Sequence, residues 1–284
     1  MRFLRKLDEK LKGRSAIADG SVLILLVAAW AYGTNLLHPH AGLVWGCDFT
    51  LYQQTVQNWM SGGSMYPAYQ LGGPYEIQPG AILYPPITIA AFAPTLLLPG
   101  PLWWLIPIVV TGAIVLHLRP RPWAILTIGF CLLYTASFTL IVAGNPDMWL
   151  VAALAIALYW RPAAAFVLLK PSLFPFALIG VKSKGWWVIA GLFTLVSLAF
   201  IPQTFDWIKA VTTGYGPRSG VLYSLQDAPL LLVPFVAWFG SKARHEAVAT
   251  RLAELAPGDT LQRGPLAARW HTARTTLRVM FSVH

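Results

Sequence analysis

The sequence predicts an all-α polytopic membrane protein, and three observations predict it. Of 284 residues 56% are hydrophobic and only 11% charged, with a mean hydropathy of +0.58, whereas a soluble domain carries about 25% charged residues. About eight hydrophobic segments follow one another along the chain. The basic residues punctuate those segments: six Lys/Arg lie in the first 14 residues, none lies between Arg14 and Arg119, and seven follow residue 241. Such spacing is the positive-inside pattern. It also removes nucleic acid as the reason for the net charge of +10, because no basic arm or face is formed.

Residues 21–37 (SVLILLVAAWAYGTNLL) make the first segment, a retained signal anchor, since no small-residue cleavage site follows and further apolar runs do. Its basic flank stays in the cytoplasm, so the loop 38–84 lies outside. Within that loop Phe49, Tyr52, Val56, Trp59 and Met60 share one helical face, which predicts an amphipathic helix in the outer interface. Asp48 stands just before its first turn. An aspartate there reads as an N-cap, worth roughly 1 kcal/mol, and a cap also fixes the carboxylate in space. Apart from Glu76 it is the only acid between Asp19 and Asp147.

Apolar runs then fall at 83–98, 101–118, 122–142, 146–160, 162–181, 186–202 and 221–240. A crossing helix needs about 20 residues, so the shorter runs are suspect and the flanking charges must decide. If 85–98 crossed completely, Arg119 and Arg121 would face outward. A re-entrant or surface helix broken by Pro94 and Pro99 keeps them inside. From there 122–142 reaches the outer face at GNPD (144–147), and 147–160 returns to Arg161. One span over 162–181 would strand Lys182 and Lys184 outside, whereas two half helices turning at Lys170-Pro171 return them to the cytoplasm. The last two spans place 203–220 outside. Residues 1–240 thus form the membrane domain, and 241–284 a cytoplasmic basic tail whose HEAVATRLAEL stretch suits the anionic inner leaflet.

Broken helices at membrane depth line cavities or lie buried in protein. This topology gathers Asp48, Glu76, Tyr84, Asn145, Asp147, Lys170 and Arg218 on the outer side. A charge inside a membrane segment costs about 2.5 to 3.5 kcal/mol on insertion scales, which makes Lys170 a functional candidate, or else a lysine that snorkels or pairs with Asp147 for structure alone.

Other features are weaker. Cys47 and Cys131 fit neither a disulfide framework nor a zinc pattern and read as free thiols. His38-Pro39-His40 lacks a third ligand for zinc. GYGPRSG (214–220) follows no strand and has no P-loop lysine, so it reads as a loop offering Arg218 to an anionic headgroup. Trp103, Trp104, Trp123, Trp186 and Trp187 read as interfacial anchors.

Taken in order, DFTLY with Tyr52 four residues after Asp48, GGSMYPAY, the YPP of Tyr84-Pro85-Pro86, GNPDMWL and LLKPSLFPF resemble the C-type glycosyltransferase superfamily over residues 20–200, most nearly glycosyltransferase family 87. The resemblance implies a polytopic inverting glycosyltransferase, in a short version of that fold. It would move a sugar such as mannose from a polyprenyl-phosphate carrier to a lipid or glycan acceptor on the external face of a bacterial plasma membrane. It implies Asp48 as general base and Lys170 as holder of the donor phosphate; Tyr52, Tyr84, Asn145, Asp147 and, from its own loop, Arg218 are the expected substrate-binding residues. No cofactor is expected. A divalent metal is not indicated, because no D-x-D pair stands beside Asp48, although Glu76 and Asp147 could contribute to a site for one. The expected partners are donor, acceptor and membrane lipids. Two other classes stand beside this one. Broken helices and a midplane lysine also mark transporters and lipid flippases, although no internal repeat is found, and a truncated relative would only bind polyprenyl phosphate.

Overall fold

The computed structural model describes residues 45–241 except 79, 217, 218, 220–223, 225 and 226. The anchor at 21–37, His38 and His40, Arg218 and the tail from 242 lie outside the described residues.

The described chain is mostly helical. Helix α1 (Cys47–Met60) begins at Gly46, whose left-handed backbone (φ 75°) turns the chain into the helix while its N–H bonds the Val142 carbonyl at 2.9 Å. A residue with a β-carbon would strain there. Gly46 occupies the N-cap, so Asp48 lies inside the first turn, contrary to the expectation. It still gains from the helix dipole. Phe49, Tyr52 and Val56 are buried as their spacing predicts, joined by Thr55, but Met60 turns outward. Tyr84, Phe92 and Trp103 cover this face, so its apolar partner is the protein itself.

After α2 (Ala68–Leu71) the loop is pinned by buried Gln70, whose amide exchanges hydrogen bonds with both backbone groups of Ile82. Strand β1 (Tyr75–Glu76) runs on to α3 (Pro86–Ala91) and a 3-10 turn (Ala93–Leu96). That apolar pair is too short to cross a bilayer, in line with the broken segment expected at 85–98.

Helix α4 (Gly100–Leu118) has 19 residues, about 28 Å at 1.5 Å per residue. Helices α5 (Pro122–Leu133) and α6 (Thr135–Ala143) meet at 65°, where the sequence suggested one unbroken span. The break falls at Tyr134 (ψ 128°), with neither proline nor glycine to signal it. Helix α7 (Asp147–Ala157) is buried along almost its whole length, its alanines allowing close approach of the neighbours.

The segment 161–180 does turn at Lys170 (φ −125°, ψ 86°), between a 3-10 helix (Arg161–Leu169) and a second arm made of a 3-10 turn (Pro171–Leu173), α8 (Phe174–Ala177) and another 3-10 turn (Leu178–Gly180). The half helices are wound tightly rather than as regular α-helix. Pro162, Pro171 and Pro175 each remove a backbone donor. Helices α9 (Lys184–Leu198) and α10 (Ile201–Thr213) are bent by 97°, and β2 (Gly214–Tyr215) pairs in parallel with β1 before α11 (Ala228–Phe239). Among the described residues one helix, α4, is long and apolar enough to cross a membrane, or three spans if each bent pair counts as one. Among the described residues Pro86–Leu96, Asp147–Ala157, Pro171–Gly180 and Ala228–Phe239 are apolar but shorter than a full span.

The bundle has two chemically different ends. At one, the His117 and Tyr159 rings lie 6.1 Å apart, the Arg121 N–H bonds the Gly240 carbonyl at 2.9 Å, and Pro120 bridges to Ser241. Glycines 180 and 185 pack against Arg161 and Pro162, which brings Lys182 and Lys184 to the same end as Arg119 and Arg121. At the other, Trp103 and Trp104 donate to the carbonyls of Gly144 and Ile141, and Trp207 to that of Leu83. Phe130, Val188 and Leu195 on the helices that run between the ends expose large apolar side chains, a surface suited to hydrocarbon rather than to water.

Candidate functional site

Four backbone devices at the second end bring distant residues together. The first is Gly46, which sets Asp48 at the start of α1. The second is Gly144, left-handed at φ 74°, which ends α6; the Gly144 and Asn145 N–H groups bond back to the Ile141 and Leu140 carbonyls. A β-carbon at Gly144 would lie 2.6 Å from the Trp104 ring and 3.0 Å from Phe49, so only glycine allows this close turn. The third is Tyr84-Pro85-Pro86: Pro85 extends the chain and Pro86 starts α3, while Tyr66 donates to the Tyr84 carbonyl at 2.8 Å. The fourth is the break at Lys170, anchored by the bond from the Thr88 hydroxyl to the Leu169 carbonyl.

These devices place six polar side chains in one continuous hydrogen-bonded chain. Asn145 donates from Nδ2 to Asp48 Oδ2 at 2.7 Å. Its Oδ1 accepts from the Asp147 N–H at 3.1 Å and from the Tyr84 hydroxyl at 3.0 Å. Since a backbone N–H only donates, the amide orientation is fixed by the network. The Tyr84 hydroxyl also lies 3.3 Å from Asp147 Oδ1. Lys170 Nζ donates to both Asp147 oxygens at 2.8 Å and to Asp227 Oδ2 at 3.0 Å, and sits 5.2 Å from the centre of the Tyr84 ring. Tyr52 supports Tyr84 by an edge contact at 5.2 Å and stacks on Phe92 at 4.9 Å.

The chain grades from open to closed. Asp48 is half-buried and Asn145 buried, while the Asp147 and Lys170 side chains are 0% and 3% exposed. An ammonium held by two carboxylates in an apolar interior is the usual remedy for the cost of burying charge. Asp48, by contrast, faces a surrounding it shares with Cys47, whose thiol lies 3.9 Å from Oδ1. Burial first, and the Asp48 charge second, push that thiol above its ordinary pKa.

Of the residues that the sequence singled out, Asp48, Tyr52, Tyr84, Asn145, Asp147 and Lys170 come together. Glu76 does not: it is exposed on β1, opposite Tyr215. Arg218 lies outside the described residues. Asn145 faces the Asp48 carboxylate and the backbone, which makes it a support of the site more than a lining of it. Asp227 was missed. Its signal was present, because it is a lone acid directly before the apolar run of α11, as Asp147 is before that of α7. The Lys170 charge pairs with Asp147, as one reading of the sequence held, and with Asp227 as well. Among the described residues no group of three or more His, Cys, Asp or Glu is placed to hold a metal ion. Cys47 and Cys131 are free thiols. No family model, curated protein or solved structure matches this chain.

Proposed function

We propose that this chain is an inverting membrane glycosyltransferase that moves a sugar, mannose or similar, from a polyprenyl-phosphate carrier to a lipid or glycan acceptor. One observation carries the reading. A half-buried carboxylate, Asp48, is held at 2.7 Å by an amide whose other end leads through Tyr84 and Asp147 to a buried ammonium. In the reaction the acceptor hydroxyl attacks sugar C1 from the face opposite the phosphate. Asp48 accepts its proton as the new C–O bond forms, and the bond from C1 to the phosphate oxygen breaks with its electron pair on phosphate. Phosphate is already a good leaving group, so one base and one cation suffice, where glycoside hydrolysis needs two carboxylates. Lys170 is the cation suited to the departing charge.

The basic end of the bundle belongs in the cytoplasm by the positive-inside rule, which assigns the Asp48 end to the external side of a multi-pass bacterial plasma membrane protein. The test is transfer of label from a set of polyprenyl-phosphate sugars to membrane lipids, with the native chain and with Asp48→Asn. The variant should insert normally and lose about 100-fold to 10,000-fold in transfer rate. Transfer at the native rate would remove Asp48 from catalysis. A second reading, transport, is favoured by the buried charges at the Lys170 helix break. It predicts label crossing sealed vesicles without being transferred.

A further inference from the structure

Asp227 occupies the N-cap position of α11, yet its side chain makes no capping bond and reaches instead for Lys170. An aspartate at that position ordinarily accepts from the N–H of the second or third helical residue. In α11 the second is Pro229, which has no N–H, and the third is Leu230. The backbone of Asp227 is helical (φ −84°, ψ −10°), whereas a capping residue is extended. Its present conformation therefore suits the ammonium, and a rotation to the extended region would suit the helix end. This carboxylate has two places to go.

The three charges are not equivalent. Asp147 grips Lys170 with both oxygens and is wholly buried, while Asp227 uses one oxygen at a longer distance and its side chain is 9% exposed. Asp227 is thus on the more open side. The triad carries one positive and two negative charges, and an anion arriving from outside meets a net negative group. Two hydroxyls beside the triad in sequence are buried without a hydrogen-bond partner: Ser172, two residues past Lys170, and Ser224, whose carbonyl accepts the Asp227 N–H at 2.9 Å. Orphaned donors at such depth are uncommon and call for a partner.

We infer that Asp227 is a resident anion at Lys170, standing where the phosphate group of a phosphate-monoester lipid binds and yielding that place when the lipid arrives. Asp147 keeps the ammonium in position, and the released Asp227 caps α11. This rests on the donor reading above and adds to it a competitor within the chain. A carboxylate that merely helped to build the site would weaken binding when removed. A resident anion does the reverse.

The experiment measures binding rather than transfer, so that a failure of the glycosyltransferase reading does not disturb it. Farnesyl monophosphate and inorganic phosphate are titrated separately into the detergent-solubilised full chain, native and carrying Asp227→Asn, Asp227→Ser or Asp227→Glu. Asn and Ser at 227 should tighten farnesyl monophosphate by at least about tenfold, the scale of one charge-assisted bond no longer competed for, and Glu should not. Tightening of inorganic phosphate as well places the recognition in the phosphate alone; tightening of the lipid only adds the isoprenyl chain to what is recognised. Unchanged or weaker binding in folded Asn and Ser variants overturns the inference. So does failure of both variants to fold, because the Lys170–Asp227 pair is then a structural tie that does not open.

Discussion

Asn145 and Asp48, 97 positions apart in sequence, are joined by a 2.7 Å hydrogen bond from amide to carboxylate. The amide cannot turn away, because its oxygen is committed to the Asp147 N–H and the Tyr84 hydroxyl. Asn145 thereby holds Asp48 Oδ2 and sets the orientation of the carboxylate, which makes it a positioning residue in the proposed reaction.

Two substitutions test that role. Asn145→Ala removes the donor, and a displacement of about 1 Å in a reacting group can cost on the order of 100-fold in rate, so transfer should fall by roughly ten- to 100-fold with donor affinity unchanged. Asn145→Asp has the same shape and keeps the acceptor, but sets a carboxylate oxygen against Asp48. It should be at least as damaging as alanine. Near-native transfer by Asn145→Asp would show that the amide only fills space.

Cys47 reports on the Asp48 charge without any substrate. The Asp48 carboxylate is the second cause, after burial, holding the Cys47 thiol above its ordinary pKa. Asp48→Asn removes that charge and leaves the burial, so the thiol pKa falls and more thiolate exists at a given pH. Alkylation of Cys47 by iodoacetamide in a Cys131→Ala background should therefore be faster in the Asp48→Asn variant, with its pH profile moved toward acid. An unmoved profile would mean that the carboxylate is neutral or turned away from the thiol.

Most of this site was legible because charge is so scarce in the chain. A charged group in an apolar stretch must be paired or functional, and Asp48, Asp147 and Lys170 each declared themselves that way. Asn145 and Tyr84 were legible through the topology that puts them on one side and through the YPP and GNPDMWL motifs; in the structure Gly144 and Pro85 shape the turns that aim them. The turn at Lys170 followed from its prolines and the flanking lysines. What the sequence could not show was packing. The kink at Tyr134 carries no local mark, and the short helix α7 reads like a span because a wholly buried helix and a lipid-facing one are apolar alike. Asp48 was misplaced by two positions because a left-handed glycine ahead of it, rather than its own side chain, starts α1.

The separation of the bundle's ends gives a prediction about sidedness. Ser64 is exposed near the Asp48 end and Lys182 is exposed at the arginine-rich end. In a Cys47→Ser, Cys131→Ala background, Ser64→Cys and Lys182→Cys should react with a membrane-impermeant maleimide from opposite sides of the membrane, Ser64→Cys from outside. Labelling of both from one side would refute the turn at Lys170 as a re-entrant element.

Lys170 itself is harder to remove than its sequence context suggests. Lys170→Met would leave Asp147 and Asp227 facing each other in the interior without their common cation. Breaking a buried ion pair by deleting one partner costs about 3 to 5 kcal/mol, whereas replacing all the charges by neutral groups is often close to neutral. The single variant should therefore melt well below the native chain or fail to insert, and its loss of activity alone would say nothing about phosphate. The triple variant Asp147→Asn, Lys170→Met, Asp227→Asn should recover most of the melting temperature, since no uncompensated charge remains. It should still bind no farnesyl monophosphate, because the cation is gone. Melting of the detergent-solubilised proteins, followed beside binding, separates the two effects. A stable Lys170→Met chain that binds farnesyl monophosphate as the native one does would show that the ammonium serves neither the fold nor the donor.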